Sequence, residues 1–264
     1  MTATGPQFIT SAGNPWLKDL RRLAQDGTAY RKQHQVWVEG DHLCRAALAR
    51  GVAPASAVFS QSLWDEAAHQ WATLRQAQAT PRTVVMPDAL FASISALESP
   101  GRMGFVLDLP PAPLLEAKAP SVILDRLQDA GNVGAILRCA AAFGFRQVLA
   151  LKGTAGLWSP KVVRAGMGSH FGLHLIEAVA AERLDELAIP IIATSSHAGE
   201  WLHRAALPWP CAWALGHEGQ GLGDELASRA SVAVRIVQPG GEESLNVAAA
   251  AAICLHASAA AQAR

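Results

Sequence analysis

Apolar and polar positions along the 264-residue chain follow two periods. Short apolar runs bounded by Gly, Pro or charged residues read as buried strands, and apolar residues spaced three and four apart read as helices. In the first hundred residues this pattern predicts strands at Val36–Val38, Ala57–Phe59 and Thr83–Met86. It predicts helices at Asp41–Arg50, Leu63–Arg75 and, briefly, Pro87–Ile94. The run Leu109-Pro110-Pro111-Ala112-Pro113 can neither continue a helix nor sit in a central strand, so residues 109–119 read as a linker. Beyond it, strands are expected at Ser121–Leu124, Gln147–Leu151, Gly172–Ile176, Ile189–Thr194, Cys211–Leu215 and Ser231–Val237. Helices are expected at Gly134–Phe143, Pro160–Ala165, Ala180–Leu187 and Ser244–Ala261. This alternation implies an α/β protein: a small α/β unit over residues 1–108, then a mostly parallel sheet over 120–264 covered on both faces. Ligands of such sheets sit beyond the carboxyl ends of the strands.

Composition narrows the class. Half the residues are hydrophobic and 17% are charged, which excludes a disordered chain. Lys+Arg and Asp+Glu both number 22, which excludes a protein that wraps nucleic acid by bulk charge. The balance is uneven, however: residues 1–50 carry seven Lys/Arg against four acids. Lys18, Arg21, Arg22, Arg31 and Lys32 form the cluster, readable as a solvated helix face or as a surface that meets RNA phosphates. The opening MTATGPQFITSAGNP has neither a basic nor an apolar leader segment. The longest apolar run, Val247–Leu255, is shorter than the ~20 residues of a membrane span. Cys44, Cys139, Cys211 and Cys254 lie far apart with no CxxC pair, so a reduced, cytoplasmic protein with buried thiols and no zinc is expected.

Three loops carry the candidate chemistry. Asp129-Ala130-Gly131-Asn132-Val133-Gly134 leads into a helix bearing Arg138, about one turn in; Asn132 suits its cap. Leu215-Gly216-His217-Glu218-Gly219-Gln220-Gly221-Leu222 places one carboxylate among three glycines at a strand end. Gln238-Pro239-Gly240-Gly241-Glu242-Glu243-Ser244-Leu245-Asn246 runs into the last helix, which Ser244 is placed to cap. No GxxxxGK[ST], GxGxxG or GxSxG motif is present. His170 and His174 flank Gly172 in a probable strand, which does not suit a zinc pair.

Taken in order, NVGAILRCAAAFGF, LGHEGQGL and GGEESLNVAAAAAICL resemble motifs 1, 2 and 3 of the SpoU-like (TrmH-type) branch of the SPOUT RNA 2′-O-ribose methyltransferases. KVVRAGMGSHF is similar to the stretch between them, and the likeness covers roughly 120–260. SAGNPWLKDLRRL and VWVEGDHLCRAAL resemble the family's N-terminal RNA-substrate-binding domain.

The resemblance implies a methyltransferase domain tied in a deep trefoil knot, preceded by a small α/β domain like ribosomal protein L30e. Periodicity alone does not suggest a knot, since threading is very rare. It implies S-adenosyl-L-methionine as methyl donor, a ribose 2′-hydroxyl of structured RNA as acceptor, and a homodimer joined through the knotted domain. Ribosomal RNA, 23S above all, is favoured over tRNA; no membrane or metal is involved. The family's catalytic set falls on Asn132, Arg138, Glu218, Ser244 and Asn246. Its cofactor set falls on Ala193, Thr194, Leu215, Gly216, Glu218, Gly219, Ile236, Gln238, Ser244 and Leu245. One departure stands out: Ile236-Val237 occupies the usual Ile-Pro position, with Pro239 two residues later, so the cofactor loop is expected to bend differently. The competing readings are a tRNA 2′-O-methyltransferase, a base-modifying knotted enzyme, and a non-catalytic RNA-binding or assembly protein.

Overall fold

A computed structural model describes residues 5–66, 80–109, 111, 113–195, 199–240 and 245–262. The chain divides into two units, one drawn from Met1–Pro110 with Trp158–Phe171, the other from Pro111–Leu157 with Gly172–Arg264.

The first unit holds strands β1 (Gln7–Phe8), β2 (Gln35–Glu39), β3 (Ser56–Ser60), β4 (Thr83–Met86) and β5 (Met103–Asp108), in the order β1-β4-β3-β5-β2. β1, β4 and β3 run parallel, while β5 is antiparallel to both β3 and β2. Helices α1 (Pro15–Gln25), α2 (Ala29–Gln33), α3 (Asp41–Ala49) and α4 (Asp88–Ala92) complete it. α1 starts where it does because the Asn14 side chain accepts from the Leu17 amide at 3.3 Å and Pro15 fills the first helical position. Its stripe of Leu17, Leu20, Leu23 and Ala24 is buried with Val58, Val84 and Phe91. The helix Pro160–Gly166 also belongs here, with Val163 in a second cluster beside Val38, Cys44 and Phe59. Of the predicted helix Leu63–Arg75, residues 67–75 lie outside the described residues.

Strand β5 is absent from the sequence reading because Gly104 interrupts its apolar run. The structure explains the glycine: a Cβ there would stand 2.2 Å from the Trp37 ring of the neighbouring strand.

The second unit is a seven-stranded sheet: β6 (Ser121–Leu124), β7 (Gln147–Leu151), β8 (His174–Val179), β9 (Ile191–Thr194), β10 (Glu200–Trp201), β11 (Ala212–Leu215) and β12 (Val232–Arg235). Their order is β10-β12-β9-β11-β6-β7-β8, and every neighbouring pair is parallel. β6, β7 and β11 are buried along their whole length, as central parallel strands must be when both faces are covered. Helices α5 (Ala130–Ala142), α6 (Asp224–Ala227) and α7 (Val247–Gln262) follow β6, β11 and β12.

Several boundaries differ from expectation: the strand expected at Gly172–Ile176 is His174–Val179, and His170 lies before it in a 3-10 helix, Ser169–Gly172. α5 begins four residues before Gly134, because Asp129 caps it by accepting from the Asn132 amide at 2.7 Å. The segment predicted as an α-helix at Ala180–Leu187 is a 3-10 helix, Ala181–Glu186. The last helix opens at Val247, not at Ser244.

Candidate active site

Register brings the strand ends of the second sheet to one edge. Val234 of β12 pairs with Thr194 of β9, Ala193 with Ala214 of β11, and Leu215 with Leu124 of β6. All four strands are parallel, so the loops after them leave from the same side. Ala193, Thr194, Leu215, Gly216 and Ile236, all expected to hold a cofactor, therefore lie along this edge. The Thr194 hydroxyl donates to the Ala214 carbonyl at 3.3 Å, tying β9 to β11 there. A cavity of about 510 Å³ lined by Glu116, Lys118, Arg146 and Trp209 lies instead where β6 and β7 begin, away from the three loops.

A hydrogen-bonded relay joins the three loops. Asn246 accepts from the amides of Ala248 and Ala249 through Oδ1, at 2.9 and 3.3 Å, and so caps α7. That fixes its amide orientation: Nδ2 faces Asn132 and donates to Oδ1 at 3.0 Å. Asn132 must then present its own Nδ2 to the third loop, where it donates to Glu218 Oε1 at 3.2 Å. The direction of every bond follows from the helix cap. Asn132 is thus not the cap of α5, as its spacing suggested. Asp129 takes that seat and leaves the Asn132 side chain free to bridge.

Arg138 lies two turns into α5, deeper than the expected one, and is exposed. Among the described residues no hydrogen bond or ion pair engages its guanidinium, so its five donors face solvent. Ser244 lies outside the described residues, and its expected capping role is filled by Asn246. Leu245 is 39% exposed and Gly219 is also exposed. Gln238 fits a ligand that offers a donor. Its Oε1 is buried and has no hydrogen-bond partner among the described residues. An amine or hydroxyl of a bound cofactor would satisfy it.

Sequence reasoning missed the pair behind the Glu218 loop. Asp125, directly after β6, is 4% exposed and accepts from the Gly223 amide at 2.7 Å. Arg126 grips the same carboxylate with Nε and Nη2, at 2.9 and 3.1 Å. Its Nη1 donates to Gln220 Oε1 at 3.2 Å. The loop itself closes on the His217–Gly221 bridge, with N···O distances of 3.0 and 2.8 Å. Gly216 is obligatory there, since a Cβ would stand 2.3 Å from the Gly221 backbone. An Asp-Arg pair ending a strand one loop before Asn132 was the available signal.

The basic cluster divides on inspection. Arg21 donates to Ser93 Oγ at 2.7 Å and Arg22 pairs with Asp19 at 3.6 Å. Arg31 stands 5.2 Å from the Tyr30 ring centroid. Lys18 and Lys32 are exposed.

Residues 119–256 match the model of the SpoU rRNA methylase family. The chain belongs to the SpoU rRNA methylase family. It is 32% identical over 265 residues to an uncharacterized tRNA/rRNA methyltransferase of Synechocystis, covering 94% of this chain and 92% of that one. It is 26% identical to the 23S rRNA (guanosine(2553)-2′-O)-methyltransferase of Bacillus subtilis, covering 94% and 97%. The AdoMet-bound rRNA methyltransferase of Sinorhizobium meliloti superposes with a TM-score of 0.84 at 26% identity, covering 97% and 98%. Like its SpoU relatives, this chain is an RNA methyltransferase whose methyl donor is S-adenosylmethionine.

Proposed function

We propose that this SpoU protein methylates the 2′-hydroxyl of one ribose in 23S ribosomal RNA. The relay from Asn246 through Asn132 to Glu218 carries the reading, because it fixes polar groups from three loops at one point, in the first turn of the helix that also bears Arg138. The sulfonium of S-adenosylmethionine supplies an activated methyl group and requires no metal. Gln238, Leu245 and the backbone at the ends of β9, β11 and β12 would hold it. The protein's task is then to place the hydroxyl in line and to stabilise the alkoxide that develops. The Arg138 guanidinium acts as a cation on that oxygen and on the neighbouring phosphate, whose oxygen can take the departing hydroxyl proton. Asn132 and Asn246 orient the ribose, and Glu218 holds Asn132.

We further assign residues 1–108 to RNA binding on an L30e-like domain, 109–119 to a linker and 120–264 to methyl transfer, in a cytoplasmic homodimer. A knot is supported by the strand order. Asn246, which follows β12, bonds Asn132, which follows β6, although β9 and β11 separate those strands. A C-terminal segment threaded past the loops of two intervening strands fits that contact.

The test is transfer of labelled methyl from S-adenosylmethionine to total RNA from a strain lacking the gene, with the product mapped. One 2′-O-methylated ribose in 23S rRNA is expected. Label on a base, or on tRNA alone, would overturn the assignment.

A further inference from the structure

We infer that Arg126 is a positioning residue for methyl transfer: it latches the Glu218 loop to the end of β6 and so sets the relay that orients Asn132. The inference rests on the methyltransferase reading above.

Arg126 has φ +58°, a left-handed conformation that an arginine adopts at a cost. Its side chain explains why the cost is borne. The left-handed turn aims the guanidinium back onto Asp125, which holds it by two bonds at 2.9 and 3.1 Å. Asp125 is itself buried and spends its Oδ2 on the Gly223 amide as well, at 2.7 Å. One carboxylate thus clasps both the arginine and the far end of the loop. The remaining nitrogen, Nη1, reaches Gln220 at 3.2 Å, and Nη2 stands 3.5 Å from the Gly221 carbonyl. The latch spans residues 220–223; Glu218 lies just ahead of it, in the turn that the His217–Gly221 bridge closes. Glu218 and Gln220 are exposed, so no core packing fixes their height above the strand ends. Polar tethers must do so: Asp125 holds the Gly223 amide, and Arg126, braced by its two bonds to Asp125, reaches Gln220.

The test uses Arg126→Gly, which removes the guanidinium and relieves the left-handed strain together. Gln220→Ala, at an exposed position, removes only the outer bond. Hydrogen exchange at amides 219–222 reports the tether, and kcat at saturating RNA and S-adenosylmethionine reports its consequence. R126G is expected to speed exchange at these amides and to lower kcat at least about ten-fold, a loss of 1.4 kcal/mol in transition-state stabilisation. The double variant with Q220A should be no slower than R126G alone, because both act through one tether. Arg126→Lys, which keeps the cation without the fork, should not restore kcat. Unchanged exchange, a kcat within two-fold of wild type, or additive losses in the double variant would each overturn the inference. If R126G fails to fold, Q220A decides alone: faster exchange with a lower kcat supports the latch, and wild-type values of both refute it. Wild-type protein that transfers no methyl, while R126G still speeds exchange, would sink the methyltransferase reading and leave the tether standing.

Discussion

Asn132 shows how one side chain changes meaning once its neighbours are placed. As a helix cap, its replacement by alanine would cost about 1 kcal/mol of stability. Asp129 holds that cap, so Asn132→Ala is expected to leave the unfolding free energy nearly unchanged. It removes instead the donor to Glu218 and the acceptor of Asn246. Loss of a preorganised polar group at a reacting centre costs on the order of 10² in kcat. Single-turnover methyl transfer beside a denaturant titration separates the two roles. Arg138→Ala makes the contrast: transfer should fall by roughly 10³ while S-adenosylmethionine affinity holds. A matched loss of affinity would move Arg138 into the cofactor pocket.

The secondary-structure elements hold the relay at its working geometry. Trp213 on β11 is fully buried, and its indole Nε1 donates to Ser258 Oγ of α7 at 2.9 Å. This bond docks α7, which Asn246 caps, onto the strand that feeds the Glu218 loop. Ser258→Ala strands the indole donor and should cost about 1–3 kcal/mol. The thiols report on the same packing. Burial pushes Cys211 up to about 11 and Cys254 up to about 12, so both stay protonated and inert at pH 8. Cys139, only partly buried, should be the first to react with a disulfide reagent, and S258A should hasten labelling of Cys254. Sequence periodicity located the strands that feed the site, because central parallel strands are apolar throughout and punctuated by Gly or Pro. It failed where tertiary packing decides, as at Gly104, whose missing side chain admits Trp37. The Asp125–Arg126 clasp was equally hidden, since its partners lie nearly a hundred residues downstream.

For the whole molecule, charge and exposed apolar surface set the partners. Arg21 and Arg22 are engaged within the protein, so Lys18 and Lys32 make the cleaner probe of RNA contact. Lys18→Glu with Lys32→Glu should weaken RNA binding and flatten its salt dependence by about 1 per lost phosphate contact, without changing S-adenosylmethionine affinity. An unaltered salt slope would return the cluster to a solvated helix face. Helix α7 supports the proposed homodimer. It buries Ala251, Cys254, Leu255 and Ser258 toward its own sheet, yet its opposite side presents Ala249, Ile253 and His256. Ile253 is 42% exposed, and His256 lies edge-on to Phe143 at the end of α5, 5.4 Å between centroids. A solvated helix face normally carries charge, and this one carries none. A second copy would cover it, and Ile253→Asp would then bury an unpaired carboxylate at a cost of about 3–5 kcal/mol. Sedimentation equilibrium should therefore find wild type at twice the 27.8 kDa chain mass and I253D at the chain mass. Wild-type protein sedimenting as a monomer at the same concentration would show that this face serves another purpose.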